Sequence, residues 1–540
     1  MNAARRIRRL LLPVTLAVLL AACANGGTGD DNGEAGSISI SGCDPENPFI
    51  PTNTSEPCGG GPMDQMFTGL VSYNPDTAEP ENAVASDISS DDNITWSITL
   101  NGGWKFHDGT DVTAESFVSA WNWGAYGPNA QVNSYFFAPI KGYADAQGED
   151  ANGDEEITQN EAPVTEMSGL TAVSDTEFTV ELEAPSSVFP VMLGYSAFSP
   201  LPASFFDDPE AFGNAPVGNG PFKFVSYEPQ VSIKLTAFDD YPQTELEIKD
   251  VEYRVYRDFN AAYADLIANN LDILWRIPAS ALAGDVYLED LGDRVVDQAD
   301  GSFYSITAPQ YVDSYANPNL TRAISMAIDR ETVIEVAFNG ARTPATGWVS
   351  PVVDGYTEGV CGVYCTYDPV AAKALFDTTG FVGPITITYN ADGDHKTWIE
   401  ATCNSISNVL GIECDGLPLA DLATFLAAIR DHEATGLLKG AWLMDYPSIE
   451  NFLVPQYATG ASSNDGVYSS PDFDAAVAEA ATLTGDAGIA KYQEAEAILA
   501  EDFPVIPLWY GRTIAGYSEN IAEVRFTPFS TVDLTSVRLS

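Results

Sequence analysis

WSITLNGGWKFHDGTDVTAESFVSAWNW, residues 96–123, compresses three structural signals into one short segment. Residues 94–100 alternate apolar and polar side chains, the period of a strand with one buried face. Asn101-Gly102-Gly103 breaks that strand, residues 104–107 resume it briefly, and Asp108-Gly109 turns the chain again. Thr113 directly precedes a helical run through Phe117 to Trp121, where its hydroxyl can accept a backbone N–H of the first turn. Working outward, helices are predicted over 371–376, 397–410 and 420–431, and strands over 385–389, 412–414 and 441–443. Strands interleaved with helices in this way call for an α/β fold.

With 540 residues the chain exceeds one ordinary core, so two or three domains are expected. Its 45% hydrophobic and 11% aromatic content is globular. The net charge of −53, from 24 basic against 77 acidic residues, argues against nucleic acid or anionic headgroups as partners of the folded part. Such a surface tolerates cationic or zwitterionic ligands, and its self-repulsion is eased by a saline setting.

Residues 1–22 read as an export signal, with Arg5, Arg6, Arg8 and Arg9 ahead of the apolar run 10–20. The signal ends Leu20-Ala21-Ala22-Cys23, the lipobox pattern of bacterial lipoproteins, which makes Cys23 the lipidated residue. Losing four arginines and no acid takes the charge from −53 to −57. Residues 24–36 contain no apolar side chain larger than alanine, and 23–36 read as a lipidated flexible tether. One lipidated N-terminus would hold the protein at the outer face of a cell membrane, and no later segment is apolar enough to span it.

Six further cysteines remain: Cys43, Cys58, Cys361, Cys365, Cys403 and Cys414. An even number in an exported chain favours disulfides, and proximity suggests 43 with 58, 361 with 365, and 403 with 414, each pinning a surface loop. Zinc is the alternative, at spacings that are not those of zinc fingers and with only three histidines to assist.

The quoted stretch resembles a segment of the family 5 extracellular solute-binding proteins, the peptide-binding components of ABC importers. Similar stretches follow in the same order. VGNGPFKF (217–224), with Asp240-Tyr241 beyond it, is similar to the family's glycine-proline turn and "NPDY" region. LDI (271–273) is similar to its "G-x-x-D" strand, LTRAISMAIDRETV (320–333) to its helix ending in "AIDR", and residues 492–510 to its closing helix and strand. The resemblance implies a two-lobed periplasmic-binding-protein-like fold of type II, in the large cluster with an extra subdomain in the first lobe. Lobe I would comprise 37–300 with 509–540, the extra subdomain about 76–214, and lobe II 301–508.

Residues 440–453, GAWLMDYPSIENFL, run from a strand into an acid, an aromatic and a proline. Asp445 beside Trp442 and Tyr446 offers a counter-charge and stacking faces to something cationic and extended. The plainer alternative is an Asp that initiates the turn at Tyr446-Pro447. Trp442, Asp445 and Tyr446 match the family's "W-x-x-D-Y" strand end, so the resemblance implies that Asp445 holds the α-amino group of a peptide. Backbone groups of Lys439, Gly440 and Ala441 would add strand-like hydrogen bonds. Lys439 lies where some oligopeptide binders carry a basic residue for the peptide carboxylate. Asn53, Thr54, Ser55 and Glu56, after the first strand, are candidate cleft residues of lobe I. Ser448-Ile449 departs from the Asp-Pro of many members and alters the turn without touching Asp445.

Asp150, Asn152, Asp154, Glu156 and Glu161 follow the order of an EF-hand calcium loop, with Glu155 where that loop wants glycine. The site is either a structural calcium site or a solvated acidic loop. No other cofactor is implied. Neither G-x-S-x-G, Walker A nor H-E-x-x-H occurs, so a hydrolase has only the chain's abundant carboxylates to recommend it. The expected function is a lipid-anchored, monomeric, extracytoplasmic receptor that closes two lobes around an oligopeptide and delivers it to an ABC permease. An oligosaccharide receptor is the alternative, with Trp96, Trp442 and Trp509 as stacking platforms.

Overall fold

Two strands of 13 residues, Val295–Thr307 and Val505–Tyr517, organise the molecule. They pair antiparallel over two stretches, Val295–Ala299 against Arg512–Gly516 and Phe303–Thr307 against Val505–Tyr510, with the register broken between Ala299 and Phe303. The computed structural model, which describes residues 36–54, 56–150, 157–242, 246–391 and 395–540, carries one eleven-stranded sheet through both stretches. On one side follow Ile273–Leu274, Ser37–Gly42, Asp250–Val255, Ser232–Ala237 and Phe222–Glu228. On the other follow Leu437–Leu443, Ile385–Asn390 and Cys414–Leu419, while Thr343–Pro344 branches from the second long strand. Residues 36–540 make one compact unit.

Two large hydrophobic clusters flank the register break. One draws its buried residues from 38–273 and 515–537, with Tyr446, the other from 303–510. Residues 505–510 are buried throughout, which suits a strand covered on both faces and explains their unbroken apolar run. The first cluster takes in a separate four-stranded sheet, in the order Ala85–Ser89, Thr95–Leu100, Glu177–Glu181, Leu170–Ser174, covered by the helix Ala114–Ala125. The clusters also meet away from the long strands, where Ser187 N donates to Ala481 O (2.9 Å) and Asn93 Nδ2 to Thr482 O (3.2 Å).

At the register break the backbone is tied from four directions. Ser302 N donates to Asp300 Oδ1 (2.9 Å), Gly301 N to Pro528 O (2.8 Å), Met444 N to Gly301 O (3.1 Å) and Ser350 Oγ to Asp300 O (2.9 Å). A Cβ at Gly511 would lie 2.1 Å from Asp300 Oδ1, so only glycine allows this approach. We expect Gly511→Ala to cost about 1–3 kcal/mol, read from the urea midpoint, because backbone or Asp300 must shift to admit the methyl.

The opening stretch folds largely as read. Thr113 caps its helix in a capping box with Ser116. Residues 104–107, expected as a strand, contribute only a bridge from Lys105 to Asp111. They wrap the Gly218–Gly220 turn instead: His107 Nδ1 accepts Gly218 N–H (3.2 Å), so Nε2 donates to Gly220 O (3.0 Å). Residues 320–333 are two helices, Pro318–Met326 and Arg330–Phe338, because Asp329 leaves the helix and caps the second by accepting from Thr332 N (3.1 Å). The strand expected at 412–414 begins at Cys414 and runs to Leu419. The six cysteines pair 43–58, 361–365 and 403–414. The last ties the helix Lys396–Leu410 to a strand of the main sheet rather than pinning a surface loop.

Candidate functional site

Strand Leu437–Leu443 pairs along one edge with 302–307, Leu443 opposite Ser302. Its other edge pairs with Ile385–Asn390 only at Leu437 and Leu438, and beyond Leu438 that edge carries no strand among the described residues. Past Leu443 the chain bends. Met444 belongs to the second cluster, whereas Tyr446 is the one buried residue between 303 and 510 that belongs to the first, among the described residues. Asp445 therefore sits where the clusters face each other.

A new helix, Ile449–Tyr457, starts immediately, capped by the Ser448 hydroxyl, which accepts from Glu450 N (3.2 Å). Capping places Asn451 at the third helical position, from which a polar side chain reaches back over the preceding turn. Asn451 Oδ1 accepts from Asp445 N (2.9 Å) and Trp442 Nε1 (3.2 Å), and its Nδ2 donates to Asp445 Oδ2 (3.1 Å). One asparagine thus fixes the acid and its neighbouring indole. The S-x-x-N spacing was the signal that could have revealed it.

Asp445 opens into a cavity of about 880 Å3, shared with Ser302 and Tyr304 on its own side and Tyr73, Tyr195 and Trp275 opposite. Removal from bulk water pushes its carboxyl up from 3.8 to about 6, and the Asn451 bond pulls it partly back. Burial, and after it the Asp445 charge, raises the phenols of Tyr73 and Tyr195. Tyr446 is buried, its hydroxyl donating to Glu450 Oε2 (2.7 Å), so it braces the turn from behind. Glu450, desolvated, is held up at about 7.

The other sequence-predicted residues divide. Gly440, Ala441 and Trp442 line a second, smaller cavity of about 240 Å3 beside Asn464 and Asp465. Lys439 is 9% exposed and its amine donates to Asn390 Oδ1 (3.0 Å), with the Phe425 ring 5.2 Å away; it lines neither cavity. Thr54 and Glu56 line the large cavity but are engaged locally. Thr54 Oγ1 donates to Pro48 O (3.1 Å), and Glu56 caps the helix Pro57–Met66 by accepting from Cys58 N and Gly59 N (2.6 and 2.9 Å). Asn53 does not line it, and Ser55 lies outside the described residues. Of the proposed stacking platforms, Trp96 and Trp509 are 5% and 0% exposed, inside the two clusters.

In the acidic loop, Asn152, Asp154 and Glu156 lie outside the described residues, as does Cys23. Glu161 turns onto Thr158, accepting from its N and Oγ1 (3.0 and 2.6 Å). No group of three or more His, Cys, Asp or Glu that could hold a metal occurs among the described residues. No described helix is long and apolar enough to cross a membrane.

A two-cluster α/β molecule with a cavity at the crossing strands is the form of a solute receptor, and the comparisons agree. The family model for bacterial extracellular solute-binding proteins, family 5 (Middle) matches residues 79–464, and the chain belongs to this family. It is thus an extracytoplasmic substrate-binding protein of ABC importers, a transport receptor and not an enzyme. The oligopeptide-binding protein OppA of Bacillus subtilis is 25% identical over 544 residues, covering 95% of either chain. Heme-binding protein A of Haemophilus influenzae is 23% identical over 494 residues, 86% of this chain and 85% of that protein. Among solved structures, the murein tripeptide binding protein MppA of Escherichia coli superposes with a TM-score of 0.74 at 20% identity, over 94% of this chain and 99% of that one.

Proposed function

We propose that this receptor captures oligopeptides by their free amino end and delivers them to an ABC permease. The observation that carries this reading is Asp445, a carboxylate set by Asn451 at the end of a strand whose outer edge beyond Leu438 carries no strand among the described residues. An ammonium satisfies the acid by a charge-assisted hydrogen bond, and the extended main chain behind it can add to the strand edge without its side chains being read. OppA relatives supply the substrate class; the haem-binding relative shows that the family also accommodates other ligands. Lobe I comprises 37–300 with 509–540 and lobe II 301–508. They turn about the register break, and ligand stabilises the closed state by its preference for it.

Thermal-shift titration against peptides, their N-acetylated forms, oligosaccharides and haem tests the assignment. Peptides should raise the melting temperature and acetylation should abolish the rise; stabilisation by sugars or haem alone refutes it. Anchoring through Cys23 at the outer face of the membrane is part of the same proposal. Cys23→Ser should release the protein from the membrane fraction into the soluble one, and a variant still held there overturns the anchor.

A further inference from the structure

The large cavity contains a second carboxylate that the Asp445 chemistry does not use. Asp64 sits in the last turn of the helix Pro57–Met66, exposed to the cavity between the buried Met63 and Gln65. A negative charge in the last turn opposes the helix dipole, so the position offers the helix nothing. The hydroxyl of Thr531 donates to it, and it makes no ion pair among the described residues.

The other acids lining the cavity are engaged at home. Glu56 caps its helix, Glu81 accepts from Asn74 Nδ2 (2.9 Å), and Asp533 accepts from Thr535 N and Oγ1 (3.0 and 2.6 Å). Among the described acids lining the cavity, only Asp64 and Asp445 present their charge to the space between the walls, and the Tyr195 phenol feels both. Among the described residues, no Lys, Arg or His lines the cavity. The nearby guanidinium of Arg342 lies over the rings of Tyr304 and Phe338, 5.6 and 5.2 Å from their centres, and does not line the cavity. Tyr73, Tyr195, Tyr253 and Trp275 complete the walls with aromatic surface that favours cations.

We propose that Asp64 is a second cation-accepting group of the cleft, selecting peptides that carry a lysine or arginine side chain as well as a free amino end. The inference rests on reading the cleft as a peptide site. Enclosure raises the Asp64 carboxyl to about 7, and an incoming cation reverses that, so the pairing favours ligand over the empty cleft.

The test is calorimetric titration of the full folded protein, slightly above neutral pH, with tetra-alanine peptides carrying lysine at each position in turn and their norleucine twins. At one position lysine should bind at least about tenfold tighter than norleucine, as a partly desolvated charge pair allows. The ratio should fall to near one in Asp64→Asn, which keeps an acceptor for Thr531, and return in Asp64→Glu. A ratio near one at every position in the unmodified protein, or one that survives Asp64→Asn, overturns the proposal. If no peptide binds, the peptide reading itself fails, and spermidine decides this one. Binding weakened about tenfold by Asp64→Asn upholds the second cation site, and absence of binding overturns it.

Discussion

Asp445→Asn should weaken peptide binding by about 2–5 kcal/mol, roughly 30-fold to more than 1,000-fold, while leaving the fold intact. Asparagine retains the shape and an oxygen to accept from Asn451 Nδ2, now 3.1 Å from Asp445 Oδ2, so the turn keeps its clamp. What disappears is the charge opposite the ligand ammonium, and a bound ammonium without a counter-ion is costly to bury. N-acetylating the peptide removes the other half of the same pair. Combining both changes should therefore cost no more than either alone, the signature of two groups in direct contact. Calorimetry on the four combinations measures it, and undiminished binding by Asp445→Asn would remove Asp445 from the site.

Acid should reproduce the substitution. Burial raises the Asp445 carboxyl from 3.8 to about 6, so between those values the folded, unliganded protein holds a proton that the unfolded chain has released. Its contribution to stability is accordingly lost as pH rises through that window, and a bound cation restores it. For binding the sign is opposite. The ammonium needs the carboxylate, so affinity should fall about tenfold per unit below pH 6 and should be flat in Asp445→Asn.

The second large effect is expected at Arg330, which lines neither cavity. It is 3% exposed and has no acidic partner among the described residues. Its guanidinium donates from Nε and Nη2 to Pro507 O (2.9 and 2.6 Å), from Nη1 to Ser325 O (3.0 Å) and from Nη2 to Ser325 Oγ (2.8 Å). Desolvation pulls its pKa down to about 9. The arginine joins the break between the helices Pro318–Met326 and Arg330–Phe338 to the long strand Val505–Tyr517, where Pro507 has no N–H of its own to offer. Arg330→Met strips the guanidinium's hydrogen bonds from a buried site, Ser325 O keeping only backbone donors such as Ile328 N (3.2 Å), and should cost about 3–5 kcal/mol in urea unfolding. Arg330→Lys should recover less than half, since a single ammonium cannot span the fork.

Local chemistry made much of this molecule legible from the chain alone. Alternation, turn residues and caps are properties of neighbouring residues, so the strand at 95–100, the capped helix after Thr113 and the turn at Asp445 followed directly. The closely spaced cysteines were legible for the same reason: short loops bring their thiols together whatever the fold. Asp445 was legible as an acid at a strand end, but whether it was a turn former or a ligand group was not a local question. Tertiary structure buries Met444 in one cluster and Tyr446 in the other, which leaves the residue between them facing the gap, as the proposed ligand role requires. It likewise placed Lys439 on Asn390 and buried Trp96 and Trp509, because which face of a strand meets solvent depends on what packs against it. Asp64 had no signal at all. One acid among 77 becomes distinctive only when folding surrounds it with a cavity that no base lines among the described residues.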